Sequence, residues 1–144
     1  KGYITLTEGY QNDFSLVTQW FRSMIDKYDI RPLWVGYDSW NSQYWVKEME
    51  DMGFEMEKIR QGVYTLSEPM KQLEADLRNH ALNYNNPIIK WCLANTQAKV
   101  DVNGNIQPSK LNSRLKRIDG TVATIIAYAT LTRYKLDYEN VVKK

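Results

Sequence analysis

Two aspartates, Asp38 and Asp119, stand where a carboxylate could do chemistry. Asp38 closes the run Pro32-Leu33-Trp34-Val35-Gly36-Tyr37, and the polar, helix-like segment Ser39-Trp40-Asn41-Ser42-Gln43 follows directly. This reads as a buried strand running into a helix, with the acid at the strand's carboxyl end, the edge of an open α/β sheet where ligands bind. An acid there is costly to bury unless something cationic holds it, which makes Asp38 a candidate metal ligand. The competing reading is that Asp38 caps the helix starting near Trp40, since Asp is a favoured N-cap. Asp119 opens the last helix just after a basic loop, and an acid in a first helical turn is favoured for electrostatic reasons alone. Together, two acids at element junctions far apart in the chain suggest one site assembled from distant segments. A carboxylate pair without a His or Cys cluster suits hard, oxygen-ligated Mg²⁺ or Mn²⁺ rather than zinc. Two such ions about 4 Å apart are the usual clamp for in-line displacement at a phosphodiester.

The remaining reactive side chains exclude much else. His80 is the single histidine, so a zinc site or a His-based triad has little to stand on. Cys92 is the single cysteine, which rules out an internal disulfide and points to a cytoplasmic setting. It lies in the apolar run Ile88-Ile89-Lys90-Trp91-Cys92-Leu93 and reads as a small buried hydrophobe. A net charge of +2 hardly separates nucleic-acid binders from other proteins, so any basic surface must be local.

The elements that must position the acids are legible in order. Residues 2–8 are β-branched and aromatic and predict a short strand ending at Gly9. Asn12 or Asp13 caps a helix with apolar positions Phe14, Val17, Phe21, Met24, Ile25 and Tyr28, one broad stripe against a sheet. The Asp38 strand follows, so the order strand, helix, strand favours a right-handed parallel crossover. A second helix over residues 40–52 carries Trp40, Tyr44, Met49 and Met52 on one side and ends at Gly53. Residues 54–59 alternate as a third strand, and Arg60-Gln61-Gly62 forms a loop on the same side as Asp38. Thr65 or Ser67 starts the next helix, striped by Met70, Leu73, Leu77 and Leu82. Residues 83–87 are a turn cluster, and residues 88–94 a short apolar helix. Residues 98–102 and 105–108 flank Asn103-Gly104 as a hairpin. The final helix runs from Ile118-Asp119-Gly120 through Val122, Ala123, Ile126, Ala127 and Thr130.

With 144 residues, 43% of them hydrophobic and 25% charged, the chain has the size and make-up of one soluble globular domain. No internal repeat and no low-complexity segment interrupts it. Nothing approaches the roughly 18 consecutive apolar residues of a membrane span, and no secretory h-region opens the chain. It begins at Lys1 without a methionine and reads as a piece of something larger.

Five short stretches then carry a resemblance. Tyr37-Asp38-Ser39-Trp40-Asn41, Gln61-Gly62, Asn86-Pro87 with Trp91 and Asn95, residues 101–108, and Arg117-Ile118-Asp119-Gly120 occur in an order similar to the C-terminal nuclease domain of large terminase subunits of tailed bacteriophages. The likeness covers residues 2–131; no one motif is specific, but the five in order are. It implies an RNase H-like α/β fold, a mixed sheet flanked by helices, here lacking the first core strand or strands. The domain expectation is a nuclease-domain fragment over residues 1–133 and a charged C-terminal tail over 134–144. The resemblance further implies a metal-dependent endonuclease that cuts concatemeric double-stranded DNA into genome-length pieces, with two Mg²⁺ or Mn²⁺ ions in the intact domain. The family's metal-binding acids after the second core strand and at the start of the last helix fall on Asp38 and Asp119. A further family acid belongs to a strand upstream of Gly2-Tyr3-Ile4, so this fragment alone is expected to be weak or inactive. The implied partners are DNA, an N-terminal packaging ATPase domain in the parent chain, the portal and the small terminase subunit, in the host cytoplasm. No membrane is implied.

Lys110, Arg114, Lys116 and Arg117 are candidate phosphate contacts, because cationic loops supply most non-specific DNA affinity; a solvated basic loop is the alternative. Gln61 and Gly62 either bring backbone amides near the metals or form a plain turn. Asp101 is assigned to the hairpin. The five tryptophans are expected mostly in the core, with Trp40 lining the cleft. Two rivals remain: another nuclease of the same fold, of resolvase or transposase type, and an inactive module that docks on DNA or the portal.

Overall fold

The computed structural model describes residues 2–9, 13–40, 42–110 and 115–143. Helix α1 (Phe14–Tyr28) begins where Asp13 accepts the Ser15 amide on Oδ1 at 2.9 Å, as the sequence predicts for this cap. Strand β1 (Val35–Tyr37) follows, then α2 (Gln43–Asp51) and β2 (Met56–Lys58). β1 and β2 pair in parallel with Val35 opposite Met56 and Tyr37 opposite Lys58, so the crossover helix is α2, and not α1 as the sequence order suggested. Next come α3 (Val63–Arg78), α4 (Pro87–Asn95), the antiparallel hairpin β3 (Gln97–Val100) and β4 (Ile106–Ser109), α5 (Asp119–Arg133) and α6 (Lys135–Val142).

Successive strand residues face opposite sides of a sheet, and β1 uses this to build two cores. Val35 turns to one side and joins Met49 and Phe54, covered by Phe21, Ile25 and Trp45. On the other side Ile59, Leu66, Leu73, Ile125, Ile126 and Ala129 form the larger core between α3 and α5. Gly36 faces α5 at very close range: a Cβ there would lie 2.1 Å from Thr130 Oγ1 and 2.9 Å from Ile126 Cγ2. Only glycine lets the helix come this near. The Tyr128 hydroxyl donates to Asp76 Oδ2 at 2.8 Å and ties α5 to α3. Ser67 Oγ accepts the Ile106 amide at 3.0 Å and anchors the hairpin on α3.

Several expectations need correction. The expected mix of parallel and antiparallel strands is present, as the parallel pair β1-β2 and the antiparallel pair β3-β4, but other details differ. Residues 2–8 form no strand; a strand exists through a hydrogen-bonded neighbour, and none is present for them among the described residues. α2 starts at Gln43 rather than Trp40, and only Met49 of its predicted stripe is buried; Trp40 and Tyr44 stand in solvent. Trp45 takes their place against the core. α3 begins at Val63, earlier than Thr65 or Ser67, because the Gly62 carbonyl accepts the Thr65 and Leu66 amides at 3.2 and 3.0 Å. None of the five tryptophans is buried: Trp40 stands in solvent, Trp45 is half-buried with its ring N–H enclosed and without a hydrogen-bond partner, and Trp34 stacks on Tyr134 at 3.8 Å. The hairpin turn is wider than Asn103-Gly104 alone. The Gly104 amide reaches the Asp101 carbonyl at 3.1 Å and Gly104 takes φ 77°, a type I turn closed by a left-handed glycine.

Candidate functional site

Asp38 is the first residue beyond β1, and its carboxylate is held from two directions. The Trp40 amide donates to Oδ1 at 3.3 Å, and Gln61 Nε2 donates to Oδ2 at 3.2 Å. Its carbonyl accepts Ser42 Oγ at 2.8 Å. This is a turn closed on the aspartate and not a helix cap, since the N-cap of α2 is Ser42. Gln61 lies in the loop after β2, so its side chain ties together the exits of two neighbouring parallel strands. A carboxylate has about four lone-pair positions, and these two donors occupy two of them. Gly62 serves as the α3 N-cap, the plain-turn alternative, and it is the Gln61 side chain rather than a backbone amide that reaches the acid.

Asp119 is the first residue of α5 and is exposed. It lines an open cleft of about 450 Å³ together with Pro108, Ser109, Lys110, Arg117 and Ile118, between the hairpin exit and the helix start. Two of the predicted cations, Lys110 and Arg117, are therefore beside this acid. Lys116 is half-buried next to them, and Arg114 lies outside the described residues. Asn95, at the end of α4, donates from Nδ2 to the Arg117 carbonyl at 3.3 Å and holds the segment that leads into Asp119. α4 is itself started by Asn86, which accepts the Ile88 amide at 2.8 Å ahead of Pro87.

The direction of α5 relates the two acids. Tyr134, just past its carboxyl end, stacks on Trp34 at the amino end of β1. Thr130 and Ile126 meet Gly36 in mid-strand. The helix thus runs antiparallel to β1, and its first residue, Asp119, points toward the carboxyl edge that Asp38 occupies. Arg133 and Tyr134 both bind Glu57 of β2, which fixes the opposite end. The Glu57 bond and burial push the Tyr134 hydroxyl above its ordinary pKa.

Asp101 stays in the hairpin. Its Oδ1 accepts the Asn103 and Asn105 amides, each at 2.8 Å, and Oδ2 accepts Asn105 Nδ2 at 3.0 Å. These bonds, led by the Asn105 side chain, hold its carboxyl below the usual carboxylate range. Cys92 is buried among apolar neighbours, as expected. His80 follows α3 with φ 55°, a chain-reversing position. Among the described residues no three Asp, Glu, His or Cys side chains converge in a way that could hold a metal ion. The donors at this edge are carboxylate and amide oxygens, which fit hard cations such as Mg²⁺ and Mn²⁺ in kind, and two carboxylates supply part of a shell of about six.

Sequence spacing gave no warning of the Gln61 and Asn95 contacts, because each joins elements more than 20 residues apart through an amide whose partner is not coded locally. Among the described residues no helix is long and apolar enough to cross a membrane. The family described as "Terminase large subunit, endonuclease domain" matches residues 6–134. The crystal structure of the HK97 bacteriophage large terminase superposes with a TM-score of 0.77 at 23% identity, covering 90% of this chain and 27% of that one. The shared fold is α/β and RNase H-like. No curated protein sequence matches the chain.

Proposed function

Because the chain belongs to the endonuclease-domain family of terminase large subunits, we propose that it is a divalent-metal-dependent endodeoxyribonuclease that cuts concatemeric double-stranded DNA during phage packaging. The observation that carries this reading is the antiparallel run of α5 on β1, which directs Asp119 toward the edge where Asp38 stands. Asp38 and Asp119 are proposed as the metal ligands. Bound there, two Mg²⁺ or Mn²⁺ ions would stabilise charge on the attacking and leaving oxygens of the phosphodiester. Gln61 and the Trp40 amide orient the Asp38 carboxylate and leave lone pairs on both oxygens. Lys110 and Arg117, beside Asp119, offer charge-assisted bonds to the flanking phosphates, with Lys116 and Arg114 of the same loop contributing to non-specific attraction. This chemistry is independent of base sequence. An attached packaging ATPase domain, the portal and the small terminase subunit are the proposed partners, in the host cytoplasm.

The test has two arms. Mn²⁺ added to the isotope-labelled chain should broaden NMR signals around Asp38 and Asp119, and Asp38→Asn or Asp119→Asn should remove the effect. In a plasmid-nicking assay on this chain and on a terminase large subunit carrying it, each substitution should lower Mn²⁺-dependent cleavage at least about 100-fold, the several kcal/mol that paired ions supply. Cleavage that survives both substitutions refutes the assignment. DNA binding without metal binding or cleavage in either form favours the docking-module reading.

A further inference from the structure

We propose that the polar face of the β3–β4 hairpin, which carries Gln97, Lys99, Gln107 and Ser109, holds the phosphate backbone of double-stranded DNA on its way into the Asp119 cleft. The inference rests on the nuclease reading of that cleft and adds the surface along which the flanking duplex lies.

Successive residues of a strand face opposite sides, and residues paired across an antiparallel ladder share a face. The register sets Gln97 opposite Ser109 and Lys99 opposite Gln107, with Ala98 opposite Pro108 and Val100 opposite Ile106. The hairpin therefore has one polar and one apolar face. Every side chain of the polar face can donate a hydrogen bond, and none is negative. Gln97 and Lys99 are exposed, and among the described residues no hydrogen bond or ion pair engages the side chains of Gln97, Lys99 or Gln107. The hairpin's one acid, Asp101, lies beyond the end of β3 and has both carboxylate oxygens bonded to Asn103 and Asn105. The bond from the Ile106 amide to Ser67 Oγ braces the hairpin on α3, and Ala98 lines a crevice with Met70 and Leu73 of that helix. The apolar face is thus turned toward α3 and the polar face outward.

This face continues into the cleft through its last pair. Ser109 ends β4 and lines the cleft with Lys110, Arg117 and Asp119. Lys99 and Gln107 stand two residues further out, about 7 Å at roughly 3.4 Å per antiparallel residue, which is also the rise of two base pairs of duplex. A strip of donors therefore runs from Lys99 to Lys110 and Arg117, complementary to an evenly charged backbone. Lys, Gln and Ser side chains are common donors to phosphate oxygens, and such contacts fix position on the duplex without reading its sequence. A two-stranded ribbon can also enter a major groove and read base edges. This one has α3 along its other face and offers a single face outward, the geometry of backbone contact.

Fluorescence anisotropy in EDTA, which prevents cleavage, tests this with two labelled, fully paired duplexes of unrelated sequence across a salt series. Lys99→Ala should weaken binding about five- to tenfold at about 0.1 M salt and reduce the salt slope by roughly 0.9 on both duplexes. Lys99→Met keeps the aliphatic stem and should do the same. The double substitution Gln97→Ala, Gln107→Ala should weaken binding at least about threefold and leave the slope unchanged. Lys27→Ala removes the same charge from the last turn of α1 and should alter neither quantity. Because the hairpin side chains make no bond within the protein, these variants should melt with the parent, and circular dichroism verifies this. An unchanged slope in both Lys99 variants overturns the proposal, as does a parent that binds neither duplex. An equal loss in Lys27→Ala, an effect of overall charge, overturns it too, and so does a loss confined to one duplex, the mark of base reading. Each of these results leaves Asp38- and Asp119-dependent cleavage untouched, whereas cleavage independent of those acids removes the nuclease reading whatever the hairpin does.

Discussion

Replacing Gly36 with alanine adds one methyl group at the tightest approach of helix and strand in the molecule. The new Cβ would lie 2.1 Å from Thr130 Oγ1, 2.9 Å from Ile126 Cγ2 and 3.3 Å from the Ile126 carbonyl oxygen. Carbon contacts settle at about 3.5–4.0 Å, so something must give. The near atom is not a flexible tip. Thr130 is branched at Cβ, buried, and its hydroxyl donates to the Ile126 carbonyl at 2.8 Å. Rotating it away leaves a buried hydroxyl without its bond, costing about 1–3 kcal/mol. Pushing Ile126 and the helix back adds an overpacking term of about 1–3 kcal/mol. The lower chain entropy of alanine in the unfolded state returns roughly 0.5–1 kcal/mol. The net expectation is a loss of about 3 kcal/mol. In urea, with a slope of about 2 kcal/mol/M, the unfolding midpoint should fall by about 1.5 M. A second arm isolates the contact: Thr130→Ala removes the nearest atom, and the double variant should recover about 1–2 kcal/mol relative to additivity. A midpoint within about 0.3 M of the parent, or strict additivity in the cycle, would refute the close approach on which the placement of α5 depends.

Three further predictions follow from the geometry. Burial, with the bond to Asp76, pushes the Tyr128 hydroxyl from 10.0 to about 12. This favours the neutral form, so the stability it contributes is present below pH 10 and is lost as pH rises toward about 12; Tyr128→Phe should flatten that alkaline decline while costing about 1 kcal/mol at neutral pH, both read from urea unfolding across pH. Asp101 is held below its ordinary 3.8, so its support of the hairpin is present above that value and fades as pH falls through the lower, folded value; the Asn105 amide shift in NMR should titrate below pH 3.8, and Asp101→Ala should abolish the transition. Gln61→Ala removes an exposed contact and should change stability by less than about 0.5 kcal/mol, yet lower Mn²⁺ affinity at Asp38 by about 10-fold or more, read by Mn²⁺ titration. Unchanged affinity would mean that Gln61 does not orient the acid.

Much of the fold was written locally, and that is the part legible in the sequence. Asp13 before α1, Asn86-Pro87 before α4 and the Asn-Gly pair of the hairpin each act within a few residues of themselves, so their chemistry can be read without the rest of the molecule. Asp38 and Asp119 fall at a strand end and a helix start for the same reason, since a proline-led apolar run and a Gly-containing helix start mark those junctions. Residues 2–8 misled because β propensity reports fitness for a pleated surface that a partner must provide. The tryptophans misled because large hydrophobic area does not fix burial; Trp34 finds a stacking partner in Tyr134, far away in sequence. Within the charged C-terminal tail, residues 135–142 form α6, which buries no residue of its own. The candidate site was visible only as isolated acids. That Gln61 grips Asp38, and that Asn95 steadies the approach to Asp119, are long-range facts that spacing does not encode.

The antiparallel lie of α5 on β1 makes the carboxyl edge hostage to joints at its opposite end. The Trp34–Tyr134 stack, the Arg133 and Tyr134 grip on Glu57 and the notch between Gly36 and Thr130 fix how far the helix has slid along the strand. One residue of slip carries a helix about 1.5 Å forward and turns it about 100°. That is enough to swing the Asp119 carboxylate out of its cleft while leaving every residue around it unchanged. The position of Asp119 at the far end of α5 is therefore calibrated from about 17–22 Å away, as a set-screw fixes an instrument far from its scale. Substitutions at Trp34, Glu57 or Tyr134 belong with the site in any mutational survey, although none of them touches it.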